Sequence, residues 1–339
     1  MLKKILAIIL VLALCLSALS GCGKADNKES KNTAGNNVDN SPEDSLKIVC
    51  TIFPQYDWVR QILGDRISRA ELTLLQDNGV DLHNYQPTTD DIITISSCDL
   101  FIYVGGESDE WVEDVLAEAG NDGAAVINML ELLGEAAKEE ELVEGMEAEE
   151  EEAGEAEEEE GIEYDEHVWL SLRNAETICR SINEAVGRLD PDNSAVYQSN
   201  LDHYIDQLKE LDQEYKDTVE QAAYKSILVG DRFPFRYLAD DYHLDYYAAF
   251  AGCSAETEAS FNTIVFLSEK LKELQLPAVL VLENSSQRIA ESIIRNSGTE
   301  PQILVMNSIQ SVTAKDIEEG ISYLAVMQEN LVTLETAIN

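Results

Sequence analysis

The sequence predicts an α/β fold in which two β/α lobes, with mainly parallel sheets, are joined by one long rigid helix. Short β-rich runs alternate with amphipathic stretches over residues 46–128, and the same alternation restarts near Ser226. A polar helical stretch with a regular apolar stripe separates the two series. The chain has 339 residues, of which 45% are hydrophobic, so it is large enough to bury a core in each lobe.

Strand and helix signals follow one another along both series. The first helix is expected to end near Gly64, and the hydroxyl and carboxylate groups of Thr88-Thr89-Asp90-Asp91 suit the N-terminus of the next one. Residues 317–334 are expected to form one closing helix, because their apolar side chains recur at spacings of three and four. The predicted strands are 47–52, 71–76, 99–104, 124–128, 227–229, 244–247, 278–282 and 302–305.

Residues 191–223 are predicted to form the linking helix between a first lobe at 46–190 and a second lobe at 224–339. About thirty helical residues span roughly 45 Å, which is long enough to run along both lobes. Two helices broken at an unrecognised turn are the alternative. The apolar stripe comprises Val196, Leu201, Ile205, Leu208, Leu211, Tyr215 and Val219.

The first residues resemble a bacterial lipoprotein signal. Lys3 and Lys4 precede an apolar run at 5–19 that is shorter than the roughly twenty residues of a membrane-spanning helix. Leu19-Ser20-Gly21-Cys22 resembles a lipobox, so Cys22 is predicted to carry a lipid; an ordinary secretory peptide with an incidental cysteine is the alternative. Residues 1–21 are therefore predicted to be a signal peptide and 22–45 a flexible tether, which places the protein outside the cytoplasm on a lipid anchor.

The charge of the chain favours a cation as the partner. The chain contains 66 Asp and Glu residues but only 23 Lys and Arg residues, so its net charge is -43. A surface this negative repels phosphates and anionic lipid, so neither nucleic acid nor anionic lipid is expected as a ligand. Residues 139–160 contain fourteen Glu and no Lys or Arg, and 135–163 are predicted to be a disordered acidic insert. A low-affinity collector of hard divalent cations is the alternative interpretation of the insert.

Two histidines occupy loops that parallel strands would place at one edge of the first lobe. His83 and His167 each precede a predicted helix and have acidic neighbours that could orient the imidazole. A neutral imidazole is a good ligand for divalent transition metals, although a loop histidine is more often a surface residue. Neither His203 nor His243 is a preferred ligand, since one lies on the polar face of the linking helix and the other in a turn.

Four cysteines other than Cys15 and Cys22 remain, and their spacing does not decide their pairing. Cys50 and Cys98 are predicted to be buried thiols because they lie in or beside apolar runs. The chain has no CxxC motif, which excludes a zinc ribbon and a thioredoxin-like centre. The other two are Cys179 and Cys253.

Two histidine motifs together resemble those of a known family. Gly79-Val80-Asp81-Leu82-His83-Asn84-Tyr85-Gln86-Pro87-Thr88 and Asp165-Glu166-His167-Val168-Trp169-Leu170-Ser171, followed by Asp190-Pro191-Asp192-Asn193, resemble the metal-specific solute-binding lipoproteins of bacterial zinc and manganese ABC importers. The resemblance extends from Leu46 to the C-terminus. It implies one metal ion in the cleft between the lobes, with two histidine ligands from the first lobe at His83 and His167 and two further ligands from the second lobe.

The second-lobe ligands match the family less well. The family position for a His or Glu falls on Arg232, which cannot coordinate a cation, so the neighbouring Asp231 is predicted as the third ligand. The family's final Asp corresponds to Asn307, which offers only a neutral carbonyl, and Glu283 at a strand end is predicted to supply the missing carboxylate. The remaining candidates are Glu256 and Glu258.

The resemblance implies capture of a divalent transition metal and its delivery to an ABC permease, without chemical turnover. Zinc is the first choice because two imidazoles with carboxylates suit tetrahedral coordination, and manganese is the alternative. The expected partners are the metal ion, the permease and the membrane through the lipid anchor, and the protein is expected to be a monomer. A surface metalloenzyme is a second class, although no HExxH motif is present, and an adhesin or cation-buffering lipoprotein is a third.

Overall fold

The computed structural model describes residues 45–121, 123–146, 163–254 and 258–339. The predicted signal peptide, nearly all of the predicted tether with Cys22, and the centre of the predicted acidic insert lie outside the described residues. Within them the chain forms two α/β lobes, each built on a four-stranded parallel sheet, which confirms the predicted fold class.

The two sheets have the same strand order. The first sheet is ordered β2-β1-β3-β4 and the second β6-β5-β7-β8, so each strand of one lobe has an equivalent in the other. All paired strands run parallel, and the loops that follow them therefore share one edge of each sheet. The strands are β1 (Leu46–Cys50), β2 (Ala70–Leu74), β3 (Leu100–Tyr103), β4 (Ala125–Asn128), β5 (Ser226–Phe233), β6 (Asp245–Ala251), β7 (Ala278–Leu282) and β8 (Gln302–Met306).

Helices connect the strands and cover the sheets. None of the helices within the described ranges is long and apolar enough to cross a membrane. The helices are α1 (Phe53–Leu63), α2 (Thr89–Ser96), α3 (Trp111–Ala119), α4 (Met129–Leu133), α5 (Leu172–Leu189), α6 (Ser194–Gln221), α7 (Arg236–Tyr242), α8 (Phe261–Leu274), α9 (Arg288–Ser297), α10 (Ala314–Glu318) and α11 (Tyr323–Ala337).

The linking helix α6 is a single unbroken helix of 28 residues, about 42 Å long. The hydroxyl of Tyr215 on α6 donates to the carbonyl oxygen of Met327 on α11 at 2.6 Å. This hydrogen bond attaches the C-terminal helix to α6. The buried side chains of α6 recur mainly every three or four residues and form one stripe. They are Tyr197, Leu201, Tyr204, Ile205, Leu208, Leu211, Tyr215 and Val219.

The prediction of one closing helix is wrong, because the chain forms α10 and α11 with a break between them. Gly320 lies in the break with φ +91°, a backbone angle that favours glycine and cannot continue a helix. Ser322 then caps α11 by accepting the backbone N–H of Ala325. The apolar period continues across the break, and for this reason periodicity alone did not reveal it.

Both lobes contribute to one shared core around α6. Side chains alternate along the strands, so that Ile48 of β1 and Leu280 of β7 face this shared core while Val49 and Val281 face separate clusters under the outer helices. Trp58 of α1 lies in the shared core and is fully buried. The continuous core means that the two sheets are held together by apolar packing as well as by the linking helix.

The start of the predicted acidic insert differs from the expectation of disorder. The backbone N–H of Lys138 donates to the hydroxyl of Tyr237 at 2.9 Å, and the N–H of Asp165 donates to the carbonyl of Lys138 at 2.9 Å. Glu140 accepts the backbone N–H of Cys253 at 3.1 Å. Residues 135–146 therefore pack against the second lobe, which the charge pattern did not indicate because these contacts join distant parts of the chain.

A buried carboxylate shapes the loop after β3. Asp109 accepts the backbone N–H groups of Val104 and Gly105 at 2.8 and 3.1 Å, and burial raises the pKa of Asp109 to about 6. Because the unfolded chain has an Asp pKa near 3.9, the folded protein holds this proton more tightly. The stability that the group contributes is therefore fully present in acid, below the unfolded pKa, and is lost as the pH rises through about 6.

Replacing Asp109 with asparagine should remove this dependence. Relative to wild type, Asp109→Asn is expected to gain about 2 kcal/mol of unfolding free energy between pH 4 and pH 7.5, because roughly two pKa units separate the folded and unfolded states and pH 4 lies close to the unfolded value. Urea denaturation at both pH values measures the difference, and Asp114→Asn on the exposed face of α3 is the control. A pH profile of Asp109→Asn identical to that of wild type would contradict the expectation.

Candidate metal centre

His83 lies in the loop between β2 and α2. Asp81 accepts the backbone N–H of His83 at 3.1 Å and so begins a single 3₁₀ turn, Leu82–Asn84. The Nδ1 atom of His83 is 2.8 Å from the hydroxyl of Ser108 and 3.3 Å from a carboxylate oxygen of Glu166. These contacts occupy Nδ1 and leave Nε2 facing the interior of the site.

His167 is held in the same way from the opposite side. One carboxylate oxygen of Asp165 accepts the backbone N–H of His167 at 2.9 Å and lies 3.0 Å from its Nδ1 atom. The ring is fully buried and packs against the indole of Trp169, with ring centroids 5.2 Å apart. When Nε2 binds a cation, the carboxylate behind Nδ1 would hold the ring proton there.

The two imidazoles meet through their Nε2 atoms, which are 3.3 Å apart. Burial, and then the nearby His167, lower the pKa of His83 to about 3, so this imidazole stays neutral at physiological pH. When both rings carry their proton on Nδ1, the two Nε2 lone pairs face each other. Such an arrangement repels itself until a cation or a proton lies between the nitrogens.

The carboxylate of Glu166, which contacts Nδ1 of His83, depends for its position on a neighbouring glycine. Glu166 accepts the backbone N–H of Ser108 at 2.9 Å, and burial raises the pKa of Glu166 to about 7. A Cβ atom on Gly106 would lie 2.4 Å from the same carboxylate, and Gly106 has φ +81°. The close approach of the β3 loop to Glu166 therefore requires glycine at this position.

The second lobe adds Cys253, which the sequence did not single out. Among the residues that the structure describes, one ligand atom from each of His83, His167 and Cys253 lies within 4.8 Å of the others. Cys253 follows β6 closely and is half-buried, and burial raises the pKa of its thiol. The other three cysteines, Cys50, Cys98 and Cys179, are buried free thiols, in agreement with the expectation for the first two.

Gln310 is a second residue that the sequence did not single out. Its side chain is buried in the loop after β8. The amide orientation that satisfies its neighbours donates to both oxygens of Asp81 at 2.8 Å and accepts a hydrogen bond from Nε2 of His167 at 2.6 Å. This bond needs the proton of His167 on Nε2, so binding of a cation at that nitrogen would replace it and leave the proton on Nδ1 beside Asp165.

The predicted second-lobe ligands lie in an adjoining cavity of about 440 Å³. Asp231 accepts the backbone N–H of Arg232, and Glu283 accepts both the N–H and the hydroxyl of Ser308 at 2.9 and 2.8 Å. The structure does not bring Asp231 or Glu283 into the histidine cluster, and their role as ligands stays a prediction. Of the other candidates, Asn307 accepts the N–H of Ile309, Glu258 is exposed, and Glu256 lies outside the described residues.

An ion pair crosses the cleft beside the site. Arg232, from β5 of the second lobe, lies 2.6 Å from Asp81 of the first lobe. Burial opposes the charged form of Asp81, but Arg232 and His83 hold the pKa of that carboxyl below its usual range. The other oxygen of Asp81 is 4.0 Å from Nε2 of His83. The carboxylate on the Nε2 side of His83 is thus already paired with a resident cation.

Gly252 limits the position of the His167 ring. A Cβ atom at Gly252 would lie 3.0 Å from Nδ1 and Cε1 of His167 and 2.9 Å from the carbonyl oxygen of Phe233. Gly252→Ala should therefore displace the imidazole and reduce zinc affinity about tenfold, since a ligand displaced by about 0.5 Å no longer fits its site. Chelator competition measures the affinity, and Gly187→Ala on α5, where a Cβ is 3.5 Å from Ser194, is the control. Equal affinity of Gly252→Ala and Gly187→Ala would count against this role of Gly252.

Comparison with known proteins places the chain in a family. The model of the zinc-uptake complex component A family (ZnuA, periplasmic) matches residues 48–337. The chain belongs to this family. A ZnuA relative, the high-affinity zinc uptake system protein ZnuA of Bacillus subtilis (strain 168), is 30% identical over 328 residues, which cover 97% of this chain and 96% of that protein.

Further similarity comes from a streptococcal protein. The zinc-binding lipoprotein AdcA of Streptococcus pneumoniae (strain ATCC BAA-255 / R6) is 30% identical over 290 residues, which cover 86% of this chain but only 55% of AdcA. The crystal structure of the Zn(II)-bound ZnuA-like domain of Streptococcus pneumoniae AdcA matches with a TM-score of 0.67 and 28% identity, covering 87% of this chain and 99% of that domain. The family model and these matches confirm the family that the histidine motifs predicted.

Proposed function

We propose that the protein captures one zinc ion in the cleft between its lobes and delivers it to an ABC permease without chemical turnover. The single observation that carries this proposal is the pair of Nε2 atoms at 3.3 Å. Two nitrogens bound to zinc at about 2.0–2.1 Å with tetrahedral angles lie roughly 3.3–3.4 Å apart. The imidazole pair is therefore already spaced as two ligands of a single zinc ion.

Zinc suits this site better than manganese does. Imidazole nitrogen favours zinc, whereas manganese is bound preferentially by carboxylate, carbonyl and water oxygens. The carboxylates that contact His83 and His167 lie on the Nδ1 side or, for Asp81, are paired with Arg232. The names of the relatives support the same choice, because the Bacillus protein is a zinc uptake component and AdcA is a zinc-binding lipoprotein.

The geometry favours binding over catalysis. A zinc hydrolase keeps an open coordination position to which water and substrate have access. Here His167 is fully buried, and the amide of Gln310 covers its Nε2 atom at 2.6 Å. A ligand set closed in this way can hold and release an ion but offers little room for a second reactant.

The location outside the cytoplasm, the lipid on Cys22 and the monomeric state belong to the same proposal. The location and the lipid are supported by the lipobox-like Leu19-Ser20-Gly21-Cys22 and by the description of AdcA as a lipoprotein. A solute-binding protein tethered at the membrane surface would release its ion next to the permease. Globomycin treatment of expressing cells should block processing before Cys22 and so retain the signal peptide.

Metal titration of the full-length protein tests the function. We expect one zinc ion per chain, bound at nanomolar concentration or more tightly in competition with a chromophoric chelator, and manganese bound at least about 100-fold more weakly. Cells that lack the protein should grow poorly in chelated medium and recover when zinc is added in excess. Failure of the protein to retain stoichiometric zinc would overturn the proposal.

A further inference from the structure

We propose that Cys253 supplies a thiolate ligand from the second lobe, so that the site holds its cation with two imidazoles and one sulfur. This proposal rests on the proposed function, because it names the ligand that completes the same site. It starts from the cluster of ligand atoms of His83, His167 and Cys253, which lie within 4.8 Å of one another. Zinc with a sulfur at about 2.3 Å and nitrogens at about 2.0–2.1 Å at tetrahedral angles requires a sulfur–nitrogen separation of about 3.5 Å, so the thiol has to move by no more than roughly 1.3 Å to bind.

The topology places Cys253 opposite the first-lobe ligand. His83 follows β2, Cys253 follows β6, and these two strands occupy equivalent edge positions in the two sheets. Loops after equivalent parallel strands point into the shared cleft from opposite sides. The two lobes therefore offer one ligand each from matching loops, and His167 lies between them.

The backbone on both sides of Cys253 is fixed. On one side Gly252 lies so close to His167 that an added Cβ would be 3.0 Å from the ring. On the other side the guanidinium of Arg232 lies 3.4 Å from the carbonyl of Ser254. The N–H of Cys253 itself donates to Glu140 at 3.1 Å. A segment held at three successive residues keeps the thiol at the histidines rather than free to turn into solvent.

A thiolate would also supply a directly bound anion, which the histidines cannot provide. His83 and His167 are neutral ligands, Asp165 and Glu166 lie behind their Nδ1 atoms, and Asp81 is paired with Arg232. Asp231 and Glu283 accept hydrogen bonds in the adjoining cavity. Among the described residues of the cluster, Cys253 is the one that can become an anionic ligand, and a divalent cation favours a site with such a ligand.

The sulfur would set the metal preference of the site. Thiolates select zinc and other thiophilic ions, whereas manganese prefers oxygen ligands. Cys253 would therefore contribute more to zinc affinity than to manganese affinity. Its loss should lower the ratio of the two affinities, which a purely structural role of the side chain would leave unchanged.

Cobalt(II) loading of the full-length protein tests the ligand directly. Wild type should show a sulfur-to-cobalt charge-transfer band in the near ultraviolet, and Cys253→Ser should bind cobalt without that band. The variant should lose about 100-fold in zinc affinity, since each ligand of a zinc site accounts for roughly 3 kcal/mol, and should keep nearly all of its weak manganese affinity. Cys98→Ala, which alters a buried thiol elsewhere in the first lobe, should keep the band.

The outcomes separate this proposal from the proposed function. The role of Cys253 would be overturned if cobalt-bound wild type lacked the band, or if Cys253→Ser kept it. Either result would leave the proposed zinc binding unaffected. Failure of wild type to bind zinc at all would overturn the function itself. Cys253→Ala provides a second variant if the serine substitution does not fold, and the wild-type spectrum requires no variant.

Discussion

Replacing His83 or His167 with alanine is expected to reduce zinc affinity roughly 100- to 1,000-fold, because each substitution removes one of two Nε2 ligands placed 3.3 Å apart. Apparent binding energies of about 10–16 kcal/mol for zinc, divided among four ligands, assign about 3 kcal/mol or more to each. Competition with a chromophoric chelator measures the affinity. Thermal denaturation without metal shows whether each variant still folds.

The chain provides matched controls for this pair. His203 and His243 are exposed, on α6 and at the end of α7 respectively, and neither belongs to the cluster. His203→Ala should bind zinc as wild type does. His243 has φ +58°, so asparagine, which tolerates this backbone angle, is the appropriate replacement there. Unchanged zinc affinity in both His83→Ala and His167→Ala would show that the ion binds elsewhere.

Trp58→Ala is expected to lower the unfolding free energy by about 3–5 kcal/mol, the range for removing a fully buried aromatic side chain. The indole of Trp58 meets the ring of Tyr323 edge to face, with centroids 5.2 Å apart, and joins α1 to α11 in the core that both lobes share. The neighbouring Asp57 accepts the backbone N–H of Tyr323 at 2.9 Å. Urea denaturation monitored by circular dichroism measures the loss.

Trp111 provides the comparison for Trp58. It lies half-buried on α3, against the outer cluster of the first lobe and away from the shared core. Trp111→Ala should cost clearly less than Trp58→Ala, because less apolar surface becomes exposed and no second lobe is involved. If the two variants lost equal stability, the shared core would not be the part that holds the lobes together.

Most of the fold was predictable because its signals are local. All eight predicted strands are present, and the loop glycines and N-cap residues that bound them act within a few residues of the chain. The break between α10 and α11 was missed because the apolar spacing continues through Gly320. The contacts of residues 135–146 were missed because their partners, such as Tyr237, lie about a hundred residues further along.

The site was predictable only in its first-lobe half. Each histidine lies two residues after an aspartate, Asp81 or Asp165, that accepts its backbone N–H. The local geometry of each histidine is therefore determined by residues that are adjacent in the sequence. The second-lobe half depends on how two sheets face each other across the cleft. The sequence around Cys253 and Gln310 contains no local pattern that predicts how close these residues lie to His167. The family's ligand position falls on Arg232, which forms an ion pair with Asp81.

The Arg232–Asp81 contact has a consequence for how cargo is recognised. Since the guanidinium of Arg232 bridges the two rims of the cleft, any motion that opens the cleft at this point has to break the ion pair. The cost of breaking it is the same for ions of equal charge, so this contact does not help the protein to tell one divalent metal from another. Discrimination between metals has to come from the ligands nearer the imidazoles.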